Sequence, residues 1–197
     1  NTVHTVGGLG IDNINKLSLL GRDDLEETLG FKLLTRNLLI TYHPVTLEKE
    51  TASHQMKEIL KSLASLEDTM LIFTMPNADT DGRVLFKLIS DFVAERPNSK
   101  VYTSMGQLRY LSTMAHVDAV VGNSSSGLLE APSFKKATIN IGDRQRGRLQ
   151  AKSVINCEPN SHDISAALKY MYSDDFQRSL INVQNPYDKG GAAEKIV

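Results

Sequence analysis

The chain lacks tryptophan entirely, has one cysteine, and draws only 6% of its 197 residues from the aromatic types. Cys157 has no partner for an internal disulfide, so stability must come from a packed core, and a reducing, cytoplasmic setting is expected. Charge of one sign is missing too: 22 Lys and Arg stand against 23 Asp and Glu, a net charge of −1. Without a basic excess or a Lys/Arg run there is no electrostatic footprint for nucleic acid. No apolar run reaches the length of a membrane span, and the opening residues lack the charged-then-apolar plan of a signal peptide. The histidines and Cys157 show no metal-ligand spacing, so no metal or other cofactor is expected.

What is present is an alternation of two periodicities. Apolar, strand-like runs occupy Leu38 to Tyr42, Met70 to Met75, Lys100 to Thr103, Asp118 to Val121, Ala137 to Ile141 and Ser153 to Asn156, with a shorter one at Val3 to Val6. Between them lie helical stripes: Met56, Ile59, Leu60 and Leu63; Val84, Leu88 and Phe92 with Leu85 and Ile89; Leu108, Leu111 and Ala115; Ile164, Ala167, Leu168 and Met171. Spacings of i, i+3, i+4 and i+7 put each set on one helix face. Strand–helix alternation predicts an α/β fold, a Rossmann-like, doubly wound parallel sheet covered on both faces and wound right-handedly. The length suits one domain with a sizeable core. Ligands in such sheets bind at the carboxyl ends of the strands.

One stretch there carries the strongest signal. Val117 to Ala131 is an apolar run that stops in Gly122-Asn123-Ser124-Ser125-Ser126-Gly127 and resumes with helical spacing through Glu130. Gly122 permits a sharp turn, and the serines set hydroxyls beside unpaired backbone N–H groups, which suits a phosphate. Glu130 would repel a phosphate but can accept hydrogen bonds from a sugar diol. The same residues also read as an ordinary N-cap and turn. A second loop, Asn140 to Arg148, brings Arg144, Arg146 and Arg148 to the same strand ends, where a guanidinium can fork onto a diphosphate.

These two segments, with Glu130 and Gly147-Arg148, resemble the carboxyl-terminal domain of UDP-N-acetylglucosamine 2-epimerases, most of all the hydrolysing kind of sialic-acid-type synthesis. Gly10-Ile11-Asp12-Asn13, Thr41-Tyr42-His43-Pro44-Val45-Thr46, Asn185-Pro186-Tyr187 and Gly190-Gly191 agree, and the likeness stays in register over nearly the whole chain. The resemblance implies that residues 1–197 are the UDP-sugar-binding second half of a GT-B-type two-domain enzyme. The amino-terminal half, with the proton-transfer carboxylates, would then lie outside this chain. It further implies UDP-N-acetylglucosamine or UDP as ligand at Asn123, Ser124, Ser125, Gly127, Glu130 and Arg144, a catalytic role for His43, and a homo-oligomeric full-length enzyme.

From position alone His43 reads more readily as a hydrogen-bonded structural histidine after a strand than as a catalyst. His116 reads as near the ligand or as helix packing, and Tyr102 to Met105 as a uracil contact or as loop packing. His54 and His162 read as solvated helix positions, and His4 carries no signal. Asn77 to Asp79 follow a predicted strand and are expected on the same rim. Two other functions fit a UDP-sugar site of this kind: a glycosyltransferase of the same architecture and a non-catalytic sugar-nucleotide sensor.

Overall fold

The computed structural model describes residues 4, 6–44, 49–76 and 80–196. Six strands form one parallel sheet: β1 (Arg36–Thr41), β2 (Thr69–Thr74), β3 (Ser99–Tyr102), β4 (Ala119–Gly122), β5 (Ala137–Ile141) and β6 (Val154–Cys157). Their spatial order is β3-β2-β1-β4-β5-β6. Each predicted strand from Leu38 onward is present, shifted by at most a residue or two. The Val3 to Val6 strand falls largely on residues outside those described, and His4 and Val6 are not in a strand.

Two cores follow from the alternation of side chains along the central strands. Leu38, Ile40, Leu71, Phe73, Val121 and Ile139 face one side. They are covered by α3 (Lys49–Ala64), α4 (Thr80–Ala94), α7 (Ser161–Met171) and α8 (Asp174–Leu180), through Met56, Ile59, Leu63, Leu85, Ile89, Ile164, Met171 and Phe176. Leu39, Met70, Ile72 and Val120 face the other side, under α2 (Arg22–Leu29) and α5 (Gly106–His116). The chain thus winds from β1 to β3 with helices on one face and returns through α5 to β4 on the other. That arrangement satisfies the single-handed crossover rule.

Three local outcomes differ from the periodic reading. In α4 the buried line is Leu85 and Ile89, while Val84 is 51% exposed, because the sheet-facing stripe is displaced by one position. The β5–β6 connection, residues 142–153, holds no helix and crosses the carboxyl edge as a loop. Residues 6–35, for which no helical stripe was read, supply α1 (Leu9–Lys16) and α2. Ile11 and Ile14 of α1 pack with Leu111 and Tyr187, and Leu25 and Leu29 of α2 are buried in the second core. Glu26, also buried in α2, receives the Leu33 amide at 3.0 Å and pairs with Lys32 at 2.8 Å and Arg22 at 3.0 Å. Chiefly the Lys32 contact, reinforced by the Leu33 amide, holds its carboxyl down at about 2.

Candidate functional site

The strand order reverses between β1 and β4, and that reversal opens the crevice in which sheets of this type hold ligands. Gly122 closes its floor. At φ 134° it passes so near β1 that a Cβ would stand 2.1 Å from the Thr41 carbonyl oxygen, so no other residue fits. The next residue spans the crevice. Asn123, 1% exposed, accepts from the His43 amide at 2.8 Å through Oδ1 and donates to the His43 carbonyl at 2.8 Å through Nδ2. Its own carbonyl receives Arg144 Nη1 at 3.0 Å and Gln145 Nε2 at 2.7 Å. The loops after β1, β4 and β5 are therefore tied together through one side chain and one carbonyl.

The helix expected beyond the serines is only one turn long: α6 (Ser126–Leu129) gives way at Glu130 to a 3-10 turn, Ala131–Phe134. So short a helix has little macrodipole, so an anion at this turn would have to be held by individual donors. The amides of Asn123, Ser126, Gly127 and Leu128 donate within the protein, to Thr41 O, Ser124 Oγ, Ser124 O and Ser125 O. The Ser124 and Ser125 amides are left without an acceptor among the described residues. Ser125 caps α6 without a side-chain hydrogen bond, so its hydroxyl also remains for a ligand. Gly127 is buried against β5, where a Cβ would meet Thr138 Cγ2 at 2.5 Å.

Behind the serines lies a run of hydroxyls that the sequence did not announce. Ser124 Oγ is 2.9 Å from Ser126 Oγ, which is 2.6 Å from the Tyr110 hydroxyl. Burial pushes the Tyr110 pKa up, and hydrogen bonds with Ser126 and Thr41 pull the other way. Thr41 Oγ1 in turn meets Thr74 Oγ1 at 2.8 Å. Glu130 is half-buried beside α1, with Oε1 3.7 Å from where a Gly10 Cβ would stand, and burial raises its pKa. No described residue donates a hydrogen bond to its carboxylate, whose oxygens remain as acceptors beside α1.

Arg144 lies on the other side of Asn123. It lines a 330 Å³ pocket with Tyr42, Gln55, Gly142, Glu158 and Pro159. The tie to the Asn123 carbonyl fixes the guanidinium at the crevice mouth while leaving its remaining N–H groups available. Gln145, 1% exposed and in the same Asn140 to Arg148 loop, anchors the same carbonyl.

Other rim candidates divide. His116 lies at the opposite, amino-terminal edge of the sheet, with Nε2 3.1 Å from the Leu20 carbonyl, so its role is packing. Tyr102 donates to the Leu29 carbonyl at 2.6 Å with Arg109 over its ring, and Met105 is buried in the second core. The Tyr102 hydroxyl and one side of its ring are thus engaged within the protein. Thr103 and Ser104 are exposed. His54 is exposed on α3, and His162 is exposed at the start of α7 beside Asp163. Asn77 to Asp79 and Val45-Thr46 lie outside the described residues. Cys157 is half-buried, and burial pushes its thiol up to about 12, so it is a neutral packing group.

The sequence profile of the family described as UDP-N-acetylglucosamine 2-epimerase matches residues 1–197. The chain belongs to that family. Among its 2-epimerase relatives, a Campylobacter jejuni protein named GDP/UDP-N,N'-diacetylbacillosamine 2-epimerase (hydrolyzing) is 38% identical over 178 residues, 90% of this chain and 46% of the relative. The Escherichia coli polysialic acid biosynthesis protein P7 is 33% identical over 192 residues, 97% of this chain and 49% of that protein. A Methanocaldococcus jannaschii UDP-GlcNAc 2-epimerase, solved with UDP-GlcNAc and UDP, superposes with a TM-score of 0.72 at 16% identity, over 97% of this chain and 52% of that one. The chain thus spans about half the length of the curated relatives it matches.

Proposed function

We propose that this chain is the UDP-binding half of a hydrolysing UDP-N-acetylglucosamine 2-epimerase. The observation that carries the proposal is the Asn123 bridge. It gathers the His43 backbone, Arg144 and the Ser124-Ser125 donors around one crevice, with Glu130 at the end of the helical turn that follows. In this reading the Ser124 and Ser125 amides and hydroxyls, with Arg144, hold the diphosphate, and Glu130 accepts from the ribose diol. The His43 imidazole donates to the departing phosphate oxygen. Directed donors of this kind act where charge develops in the transition state.

The reaction removes the proton at C2 of the sugar and breaks the C1–O bond to UDP, leaving a 2-acetamidoglucal. Water then adds its hydroxyl to C1 and a proton to the opposite face of C2, giving N-acetylmannosamine and UDP. The residues gathered here serve the leaving group, and the base at C2 is assigned to the other half of the enzyme. Likeness to relatives named as hydrolysing enzymes, at 38% identity in one case, supports release of free UDP. The same relatives' names favour a second reading of the sugar itself, in which the substrate is UDP-N,N'-diacetylbacillosamine.

Incubating the full-length protein with each UDP-sugar in turn, and following sugar and nucleotide by NMR, tests the proposal. Free UDP with the C2-epimerised sugar is expected. Interconversion of UDP-sugars without release of UDP would place the enzyme in the non-hydrolysing branch. A requirement for an acceptor would make it a glycosyltransferase, and binding without turnover a sensor.

A further inference from the structure

A second, larger cleft of 680 Å³ lies one strand outward from the nucleotide crevice, between the 142–150 loop, β6 and α7. Small-molecule sites usually measure about 300–1,000 Å³. Its inner wall is a row of amides. Asn140 and Asn156 are register partners on β5 and β6. Asn140 Nδ2 donates to Asn156 Oδ1 at 2.8 Å, and Asn156 Nδ2 donates to Gln150 Oε1 at 2.8 Å.

Asn140 is 3% exposed, and its Oδ1 has no partner among the described residues. Turning the amides end for end only exchanges the orphan: Asn140 Oδ1 then faces Asn156, and Nδ2 is left alone. The Asn140 amide oxygen has almost no accessible surface, so it is the exposed amides of Asn156 and Gln150 that meet the cleft, and a hydroxyl, being donor and acceptor at once, suits them in either orientation. The floor of the cleft is apolar, with Ile155 and Ala167. At its rim stands Tyr170, 55% exposed yet braced against Phe176 at a centroid distance of 5.2 Å. A braced, exposed ring suits the C–H face of a saturated ring.

Charge narrows the class further. Asp143, Glu158 and Asp163 line the cleft against one guanidinium, Arg146, which pairs with Asp143 at 2.7 Å. The surplus of carboxylates repels phosphate. We infer that this cleft binds an uncharged, polyhydroxylated ring, of the class of a free pyranose sugar, separately from the nucleotide.

The test is titration of the isotope-labelled chain, followed by NMR, with N-acetylglucosamine, N-acetylmannosamine and, separately, UDP. At least one monosaccharide is expected to give saturable shifts at the Asn140, Asn156 and Gln150 side-chain amides and along α7 near Tyr170. UDP is expected to move residues 123–130 instead. Tyr170→Ala and Gln150→Ala, both at exposed positions, should each weaken the monosaccharide about 2- to 10-fold and leave the UDP shifts in place. The inference is overturned by an absence of saturable shifts in the cleft at roughly 50 mM sugar, a concentration that would reveal millimolar affinity. Shifts confined to residues 123–130, occupation of the cleft by UDP, or unchanged sugar affinity in both variants would overturn it equally. Sugar binding here without UDP binding would keep this inference and remove the nucleotide reading.

Discussion

Gly127 and Thr138 interlock: the Thr138 hydroxyl donates to the Gly127 carbonyl at 2.7 Å, while its methyl group fills the space that a side chain on residue 127 would need. Gly127→Ala is therefore expected to destabilise the chain by about 1–3 kcal/mol through overpacking. Thr138→Ser, which keeps the hydroxyl and removes the methyl, should recover much of that loss in the double variant. Urea melts of the wild type, both single variants and the double variant check this, and additive losses would show that the two residues do not compete for the same space.

The nucleotide reading predicts a split between ligands. Arg144→Ala, and the Ser124→Ala, Ser125→Ala pair, should weaken UDP by on the order of 1.5–3 kcal/mol for each well-formed charge-assisted contact, with little change for uridine. Calorimetric titration of both ligands decides it. Equal losses for uridine in the Arg144 variant would reject the phosphate assignment.

His43 and Asn123 separate scaffold from chemistry, because Asn123 grips only the backbone of residue 43. His43→Asn should keep the fold and most UDP affinity while lowering turnover in the full-length enzyme roughly 100- to 10,000-fold. Asn123→Ala removes two buried hydrogen bonds at once and should lower stability by about 1–3 kcal/mol, with UDP binding falling alongside. A near-normal single-turnover rate in a well-folded His43→Asn variant would end the catalytic assignment.

Glu130 sets function against stability. Burial raises its pKa, so its charged form disfavours the folded state above the ordinary carboxylate range, and the chain gains stability as pH falls through the raised value. Glu130→Gln is expected to raise the melting temperature at pH 7 by about 1–3 °C while weakening uridine and UDP alike. Calorimetric melts and titrations of that one variant should move in opposite directions.

Glu26 behaves in the reverse sense. Its carboxyl is lowered from 4.5 to about 2, so the stability it lends is complete above the unfolded value and disappears as pH falls from about 4.5 towards about 2. Glu26→Gln should melt lower than the wild type at pH 7, and the gap should close across that window. A gap unchanged at pH 2 would remove the ion-pair explanation.

The strands and the carboxyl-edge loops were legible because β-branched runs ending in Gly, Asn and Ser have few alternatives in a parallel sheet. The amphipathic period of α3 and α7 was equally plain. What could not be read was anything that depends on two distant segments meeting. Tyr110 lies in α5 outside its apolar stripe and says nothing of Ser126 until the helix is packed. Asn140 alternates along a strand like any buried polar residue until Asn156 stands beside it. The shortness of α6 could not be read either, because Ala131-Pro132-Ser133-Phe134 tightens into a 3-10 turn and a proline next to Ala131 is compatible with the start of either kind of helix.

The hydroxyls that run from Ser124 through Ser126 to Tyr110 can each point their hydrogen in either direction along the row. Reversing every O–H together changes the polarity that Ser124 shows at the crevice without displacing a heavy atom. A phosphate oxygen arriving there selects the sense in which Ser124 donates, and a ligand hydroxyl can select the other. The loop thus answers both kinds of group by rotating protons, and its backbone can stay as rigid as the Asn123 bridge makes it.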